Sequence, residues 1–307
     1  MNTACIFPGQ GAQKVGMGFE IYKNFRVAKD VFNEADDVLK QKLSKIIFEG
    51  PAEELTLTKN TQVALMVCSI AMLRVLEEKV GKELKTFCSY VAGHSLGEFT
   101  ALVASNVISF SDCVKLLRVR GQAMQEAVPA GKGAMFALLG ANIEIAKQIA
   151  DETSVAVAND NSPAQQVLSG EALAIQKSIQ ISEAKGYKAI KLNVSGPFHS
   201  KLMKPATEIL EQELAKINFN SPEISIISNF TGEIMRTEEI KKNLLLQLTN
   251  TVKWCDSIKN LKTLGVEKIL EVGPGKIYTN LTKRIDATLT ATALHDEASI
   301  NLFVEQL

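Results

Sequence analysis

Paired cysteines, net charge and long apolar runs are all missing from this sequence. Its five cysteines, Cys5, Cys68, Cys88, Cys113 and Cys255, are odd in number, and no two form a C-x-x-C pair. That usage argues against a disulfide framework or a zinc site and fits reduced thiols. Lys plus Arg number 34, and so do Asp plus Glu. With no excess of either sign, bulk charge draws the chain neither to nucleic acid nor to a membrane surface, and a charged partner must be met by a local patch. No stretch reaches the roughly 18 apolar residues of a membrane span. Residues 1–13 carry no basic region and break at Pro8 and Gly9, so no secretory address is read there and cytoplasm is the expected compartment. Histidine is scarce as well, with His94, His199 and His295 the whole set.

What is present is an ordinary globular balance: 307 residues, 46% hydrophobic and 22% charged. The length suits one large domain with a smaller insert, and a core of that size can bury a shaped site. There is no 20–50-residue repeat. Strand and helix patterns alternate, which predicts an α/β fold. Residues 4–7 read as a short buried strand ending in the loop Pro8-Gly9-Gln10-Gly11. Residues 61–80 read as a helix, apolar on nearly every side and therefore buried. A strand at 89–92 leads through a tight turn, 93–97, into another helix. A further helix runs from 111 to about 128, with Ser109 or Ser111 as its cap.

Pro129, Gly131 and Gly133 break the chain, and the rhythm changes. Strands at 134–139, 154–158, 166–169 and 188–193 alternate with helices at 143–150 and 172–184. That βαββαβ order is ferredoxin-like. The expected division is a large catalytic domain, 1–127 and 195–307, with a small subdomain at 128–194. Residues 224–228 and 268–272 return to the large sheet, and Gly273-Pro274-Gly275 leads into a last helix.

Gly93-His94-Ser95-Leu96-Gly97 is a G-x-S-x-G sequence between a strand and a helix. Such an elbow forces its serine into a strained turn and exposes Oγ at a helix N-terminus, where the Leu96 N–H can bind an oxyanion. A glycine-rich turn with an incidental serine is the bland alternative. A nucleophilic serine needs a base. His94 adjoins Ser95 and reads as structural. His199 lies in the small-residue loop Ser195-Gly196-Pro197-Phe198-His199-Ser200, a setting that suits catalytic side chains. His295 stands in a polar stretch before Asp296 and Glu297 and reads as a surface residue, leaving His199 the preferred base. On the helix from 111, Arg120 shares the apolar stripe of Cys113, Leu116, Leu117 and Met124. A buried guanidinium needs an anion, either an internal Asp or Glu or a substrate carboxylate. Arg118 falls off the stripe and reads as solvated.

These residues resemble the malonyl-CoA:acyl carrier protein transacylases of fatty-acid synthesis and the acyltransferase domains of polyketide synthases. The resemblance is carried by seven segments in order. They are residues 7–13, the elbow through Glu98, Arg120-Gly121 with 124–129, residues 158–163, residues 196–200, Gln247-Leu248 with Val252-Lys253-Trp254, and residues 271–276. It implies an α/β-hydrolase-like core with a parallel sheet, carrying the ferredoxin-like insert. It implies Ser95 as nucleophile and His199 as base, with Gln10 joining Leu96 at the oxyanion site. Arg120 would hold the malonyl carboxylate. Gln247 would orient His199 through its backbone carbonyl, a dyad without a triad aspartate. Phe198 matches the malonyl-type pattern, and Asn159 and Asn161 match a loop facing the cleft. One departure is Thr251, where the family usually has proline. The change removes proline's constraint on the loop that carries Gln247.

The chemistry so implied is ping-pong transfer of malonyl from malonyl-CoA to the phosphopantetheine thiol of acyl carrier protein, with no metal or other cofactor. The expected partners are malonyl-CoA and acyl carrier protein, met by a monomer. Lys188, Lys191, Lys201, Lys204, Lys276 and Lys283 are candidates for a basic docking patch, although each alone reads as an ordinary solvated lysine. Two rivals use the same residues differently. A serine esterase would need an acid and a late histidine such as His295. A non-catalytic interaction protein would have no use for Ser95, His199 and Gln10 together.

Overall fold

The structure, a computed structural model, describes residues 2–194 and 196–306. Met1, Ser195 and Leu307, which mark the outer ends and one junction of the expected division, lie outside the described residues. Five strands form one parallel sheet: β1 Thr3–Phe7, β2 Tyr90–Gly93, β7 Ser225–Ile226, β8 Lys268–Val272 and β9 Thr290–Leu294. Their order is β7-β2-β1-β8-β9. Every residue of β1 is buried, as expected for a parallel strand covered on both faces. Its alternation sorts the two cores. Cys5 and Phe7 join the cluster that holds the long helix Thr58–Val80, whereas Ala4 and Ile6 join Trp254, Ile258 and Leu281 on the other side.

The second sheet is antiparallel and contains β3 Gly133–Leu139, β4 Ala156–Ser162, β5 Gln165–Glu171 and β6 Lys188–Lys191. Its order is β4-β5-β3-β6. With helices Ile143–Thr153 and Ala172–Ala184 between strands, the element order is the βαββαβ read from sequence. Those helices bury Ala146, Ile149 and Ile175 in a separate core with Phe136, Leu138 and Leu168. The fold class is thus α/β with a parallel sheet plus a small antiparallel one.

Several expectations change in detail. The helix after Gly275, Ile277–Ile285, is not the last element, because β9 and a helix Glu297–Glu305 follow it. The sequence of β9, TATAL, carries only one large apolar side chain, so it gives no strand signal. Only Ser225–Ile226 of the expected 224–228 strand pairs with β2. Ser109, not Ser111, caps its helix, accepting from the Asp112 N–H at 3.0 Å. Arg118 is half-buried, and its guanidinium donates to Asn60 Oδ1 at 2.6 Å.

Candidate active site

The ends of β1 and β2 lie side by side, because Phe7 pairs with Gly93. Ligand crevices of open α/β sheets form at such carboxyl ends. Here the strand ends deliver Pro8–Gln10 and the turn 93–97. Ser95 has φ 52° and ψ −104°, a strained conformation for a non-glycine residue. The turn closes only because its flanks lack side chains. A Cβ at Gly93 would strike the Gly97 backbone, and one at Gly97 would strike the Phe7 carbonyl. Asn229 ties the turn further. Its Oδ1 accepts from the Ser95 N–H at 2.6 Å, and its Nδ2 donates to the Gly93 carbonyl at 2.7 Å.

Ser95 Oγ stands 2.9 Å from His199 Nε2. His199 Nδ1 is 2.7 Å from the Gln247 carbonyl, which can only accept, so Nδ1 carries the hydrogen. In the neutral ring Nε2 is then free to accept from the serine hydroxyl. His199 is itself held in a left-handed conformation, φ 54°. Burial is the main cause that lowers its pKa to about 3, with the Arg120 charge adding to it and the Gln247 bond opposing. The imidazole is therefore neutral near pH 7. No Asp or Glu side chain bonds His199 among the described residues.

Arg120 is fully buried and reaches the site by the tip of its guanidinium. Nη2 donates to Ser95 Oγ at 3.1 Å and to Gln247 Oε1 at 2.7 Å. Nη1 donates to Gln62 Oε1 at 2.6 Å. All these acceptors are neutral, and among the described residues no carboxylate is hydrogen-bonded to Arg120. Its face lies over the Phe99 ring, 5.0 Å from the centroid. Burial lowers its pKa to about 9, opposed by the charge of Glu98. Glu98 is buried as well, and desolvation raises its pKa to about 7.

A cavity of about 230 Å³ opens onto Ser95 and His199 and is lined by Gln10, Gln62, His94, Leu96, Asn159 and Phe198, with Met124 and Met135 among its apolar walls. Leu96 is the first residue of its helix, so its N–H has no intrahelical acceptor. Asn161 does not line this cavity. Its Oδ1 instead accepts from His94 Nε2 at 2.9 Å, and His94 packs between Trp254 and Tyr278. His94, although it lines the cavity, is held from behind by these contacts. His295 stands apart from this cavity, with Nε2 3.4 Å from Asp296. Among the described residues no cluster of three His, Cys, Asp or Glu could hold a metal ion.

Thr251 does not leave its loop loose. Its hydroxyl donates to the Val157 carbonyl at 2.6 Å, and Val252 exchanges backbone bonds with Ala158 and Asp160 at 2.9 and 3.0 Å. The residues that sequence reasoning did not single out are Gln62, Glu98 as a contact, and Asn229. Glu98 had a signal, since it is a charged side chain within a largely apolar, buried helix; Gln62 had little, since it ends a polar stretch, residues 58–62, just before the apolar run. Asn229 had none.

Residues 4–295 match the acyl transferase domain family. The chain is 44% identical to the malonyl CoA-acyl carrier protein transacylase of Bacillus subtilis (strain 168), over 100% of this chain and 97% of that protein. It is 42% identical to the protein of the same name from Escherichia coli (strain K12), over 98% of each. Among solved structures it is similar to an acyl-carrier-protein-S-malonyltransferase from Bartonella henselae, with a TM-score of 0.96 and 40% identity over 100% of this chain and 99% of that one. It is similar to the same degree, 0.96 and 40% over 100% of both chains, to a malonyl-transacylase in complex with its type II PKS acyl-carrier protein.

Proposed function

This chain belongs to the acyl transferase domain family, and from that premise we propose that it moves malonyl from malonyl-CoA to the phosphopantetheine thiol of acyl carrier protein, supplying units for fatty-acid synthesis. The reading is of an enzyme working in the cytoplasm as a monomer, without a metal or other cofactor. The described helices include none long and apolar enough to cross a membrane.

In this reading His199 Nε2 takes the Ser95 proton as Oγ attacks the thioester carbonyl. The Gln10 and Leu96 N–H groups hold the oxyanion. The C–S bond breaks, and the coenzyme A thiolate leaves with the proton from His199. Malonyl-Ser95 remains. The carrier thiol then gives its proton to His199 and attacks the ester, and Ser95 Oγ leaves and is reprotonated. Gln247 keeps the His199 tautomer through its carbonyl. Arg120 fixes the malonyl carboxylate, which positions the acyl group for the second thiol rather than for water. Phe198 and Asn159 shape the acyl cavity, and Asn161 acts through His94.

The observation that carries this reading is the Arg120 guanidinium, wholly buried and 3.1 Å from Ser95 Oγ. A structural ion pair would place an Asp or Glu on that fork, yet its hydrogen bonds go to Ser95, Gln62 and Gln247. Intact-mass measurement after brief mixing with malonyl-CoA, acetyl-CoA or methylmalonyl-CoA tests it. The expected result is a malonyl adduct on Ser95, strong only with malonyl-CoA and lost on adding carrier protein. Free acid accumulating without an adduct would point to a hydrolase instead.

A further inference from the structure

Glu98 lies in the first turn of the helix that starts after Ser95, and it is 0% exposed. The transfer steps above do not use it. Its two oxygens face two donors. The Asn229 N–H donates to Oε1 at 3.0 Å, and the Gln247 side-chain amide donates from Nε2 to Oε2 at 2.5 Å. The same Nε2 also donates to the Ser95 carbonyl at 2.9 Å. That leaves Gln247 Oε1 as the end that accepts from Arg120.

A side-chain amide has one donating and one accepting end, and a carboxylate only accepts. Glu98, together with the Ser95 carbonyl, which also only accepts, therefore sets which way the Gln247 amide faces. The amide in turn presents an acceptor to Arg120 Nη2, the same nitrogen that reaches Ser95 Oγ. If the amide turned over, its NH2 would confront the guanidinium donor to donor, and the fork would have to move.

We propose that Glu98 is a positioning residue for malonyl transfer: its carboxylate sets the Gln247 amide, and that amide holds the Arg120 fork where the malonyl carboxylate is taken. The inference rests on the role given to Arg120 above. It separates two tasks within Gln247. The backbone carbonyl serves His199, and the side chain serves Arg120.

The test compares wild type, E98Q, E98D and R120A, with malonyl-CoA and acetyl-CoA as donors and acylation of Ser95 as the readout. E98Q keeps the shape but sets an NH2 against either the Asn229 N–H or the Gln247 NH2. The expected result is a rise of about tenfold or more in the malonyl-CoA KM, with acetyl acylation changed by less than about threefold. E98D keeps a carboxylate that only accepts but draws it back by one methylene. It should retain more of the malonyl preference than E98Q, and it carries the test if E98Q alone does not fold. Equal losses with both donors, an unchanged malonyl KM, or an E98D no better than E98Q would overturn the inference. R120A serves as the reference. If it fails to discriminate the two donors, the role of Arg120 falls first; if it discriminates and E98Q does not, only the inference about Glu98 falls.

Discussion

Ser95 Oγ sits between two groups that treat it in opposite ways. It can give its hydrogen to His199 Nε2 at 2.9 Å, and it accepts one from Arg120 Nη2 at 3.1 Å. The first contact favours attack, and the second stabilises negative charge on the oxygen. Burial lowers His199 to about 3 from its ordinary 6.5, so acidification to pH 5 leaves it neutral in the folded protein. We expect the rate of Ser95 acylation by acetyl-CoA to stay flat from pH 8 down to about pH 5, as measured by quench-flow mass analysis. A limb near 6.5 would mean that the reacting imidazole is solvated. With malonyl-CoA a fall should appear near pH 7, where burial places Glu98. A carboxyl proton there would face the Asn229 or Gln247 donors, with Arg120 the nearby charge.

The same shifts have consequences for stability. The unfolded imidazole of His199 binds a proton below 6.5 that the folded one refuses down to about 3. Its contribution is therefore fully present above 6.5 and is lost as pH falls through that window. His94, lowered to about 4 by desolvation, acts in the same direction. Glu98 acts in the opposite one, because its stability contribution is present below 4.5 and is lost as pH rises through 7. H199Q should thus flatten the acid side of a melting-temperature profile, whereas E98Q should gain on wild type as pH rises from 4.5 to 7. An acid slope unchanged in H199Q would place the imidazole in water.

At the scale of elements, the site depends on how closely two helices approach. Arg120 and Gln62 come from helices Phe110–Glu126 and Thr58–Val80, and they meet at 2.6 Å. The next residue, Gly121, lies against the second helix. A Cβ there would come within 2.7 Å of the Thr58 carbonyl oxygen and the Lys59 Cα. Those are backbone atoms, so neither can swing aside. G121A should cost about 1–3 kcal/mol in denaturant unfolding, typical of overpacking. It should weaken malonyl transfer more than acetyl transfer, because the shift is passed to Arg120. Equal weakening would show that the helix spacing does not set the fork. The glycine was visible beside Arg120 in the sequence, but nothing there told which helix it would meet.

On the scale of the whole molecule, β4 of the small sheet grips the loop that follows Gln247. The Thr251 hydroxyl bonds Val157, Val252 pairs across Asn159, and Asn161 holds His94. Gln247 itself lies in the helix Ile240–Thr249 rather than in a loop, so one strand touches both the serine turn and the segment that follows the helix whose Gln247 carbonyl bonds His199. Replacing Thr251 by valine deletes one of these bonds and should lower stability by about 1 kcal/mol, with amide exchange of Val252 accelerated. If that exchange were unchanged, the backbone bonds alone would hold the loop. Thr251 thus restrains by a hydrogen bond what proline would restrain by its ring.

The sequence by itself determined the parts with local causes. The strand–turn–helix around Ser95 follows from glycines that let backbones touch and from apolar runs on either side. The helical stripe carrying Arg120 follows from 3.6-residue periodicity, and the second sheet from a change of rhythm after Pro129. Tertiary structure alone decided what those parts face. Glu98 and Gln247 are 149 residues apart, and Ser95 and Asn229 are 134 apart. No local pattern encodes such a meeting, because it is set by sheet order and by the packing of helices on the sheet. The strand β9 escaped reading because it is defined by its pairing with β8 and buries only Leu294. Whether Arg120 hydrogen-bonds a carboxylate or neutral partners was likewise decided by the fold, because Gln62 and Gln247 reach it from helices far apart in the chain.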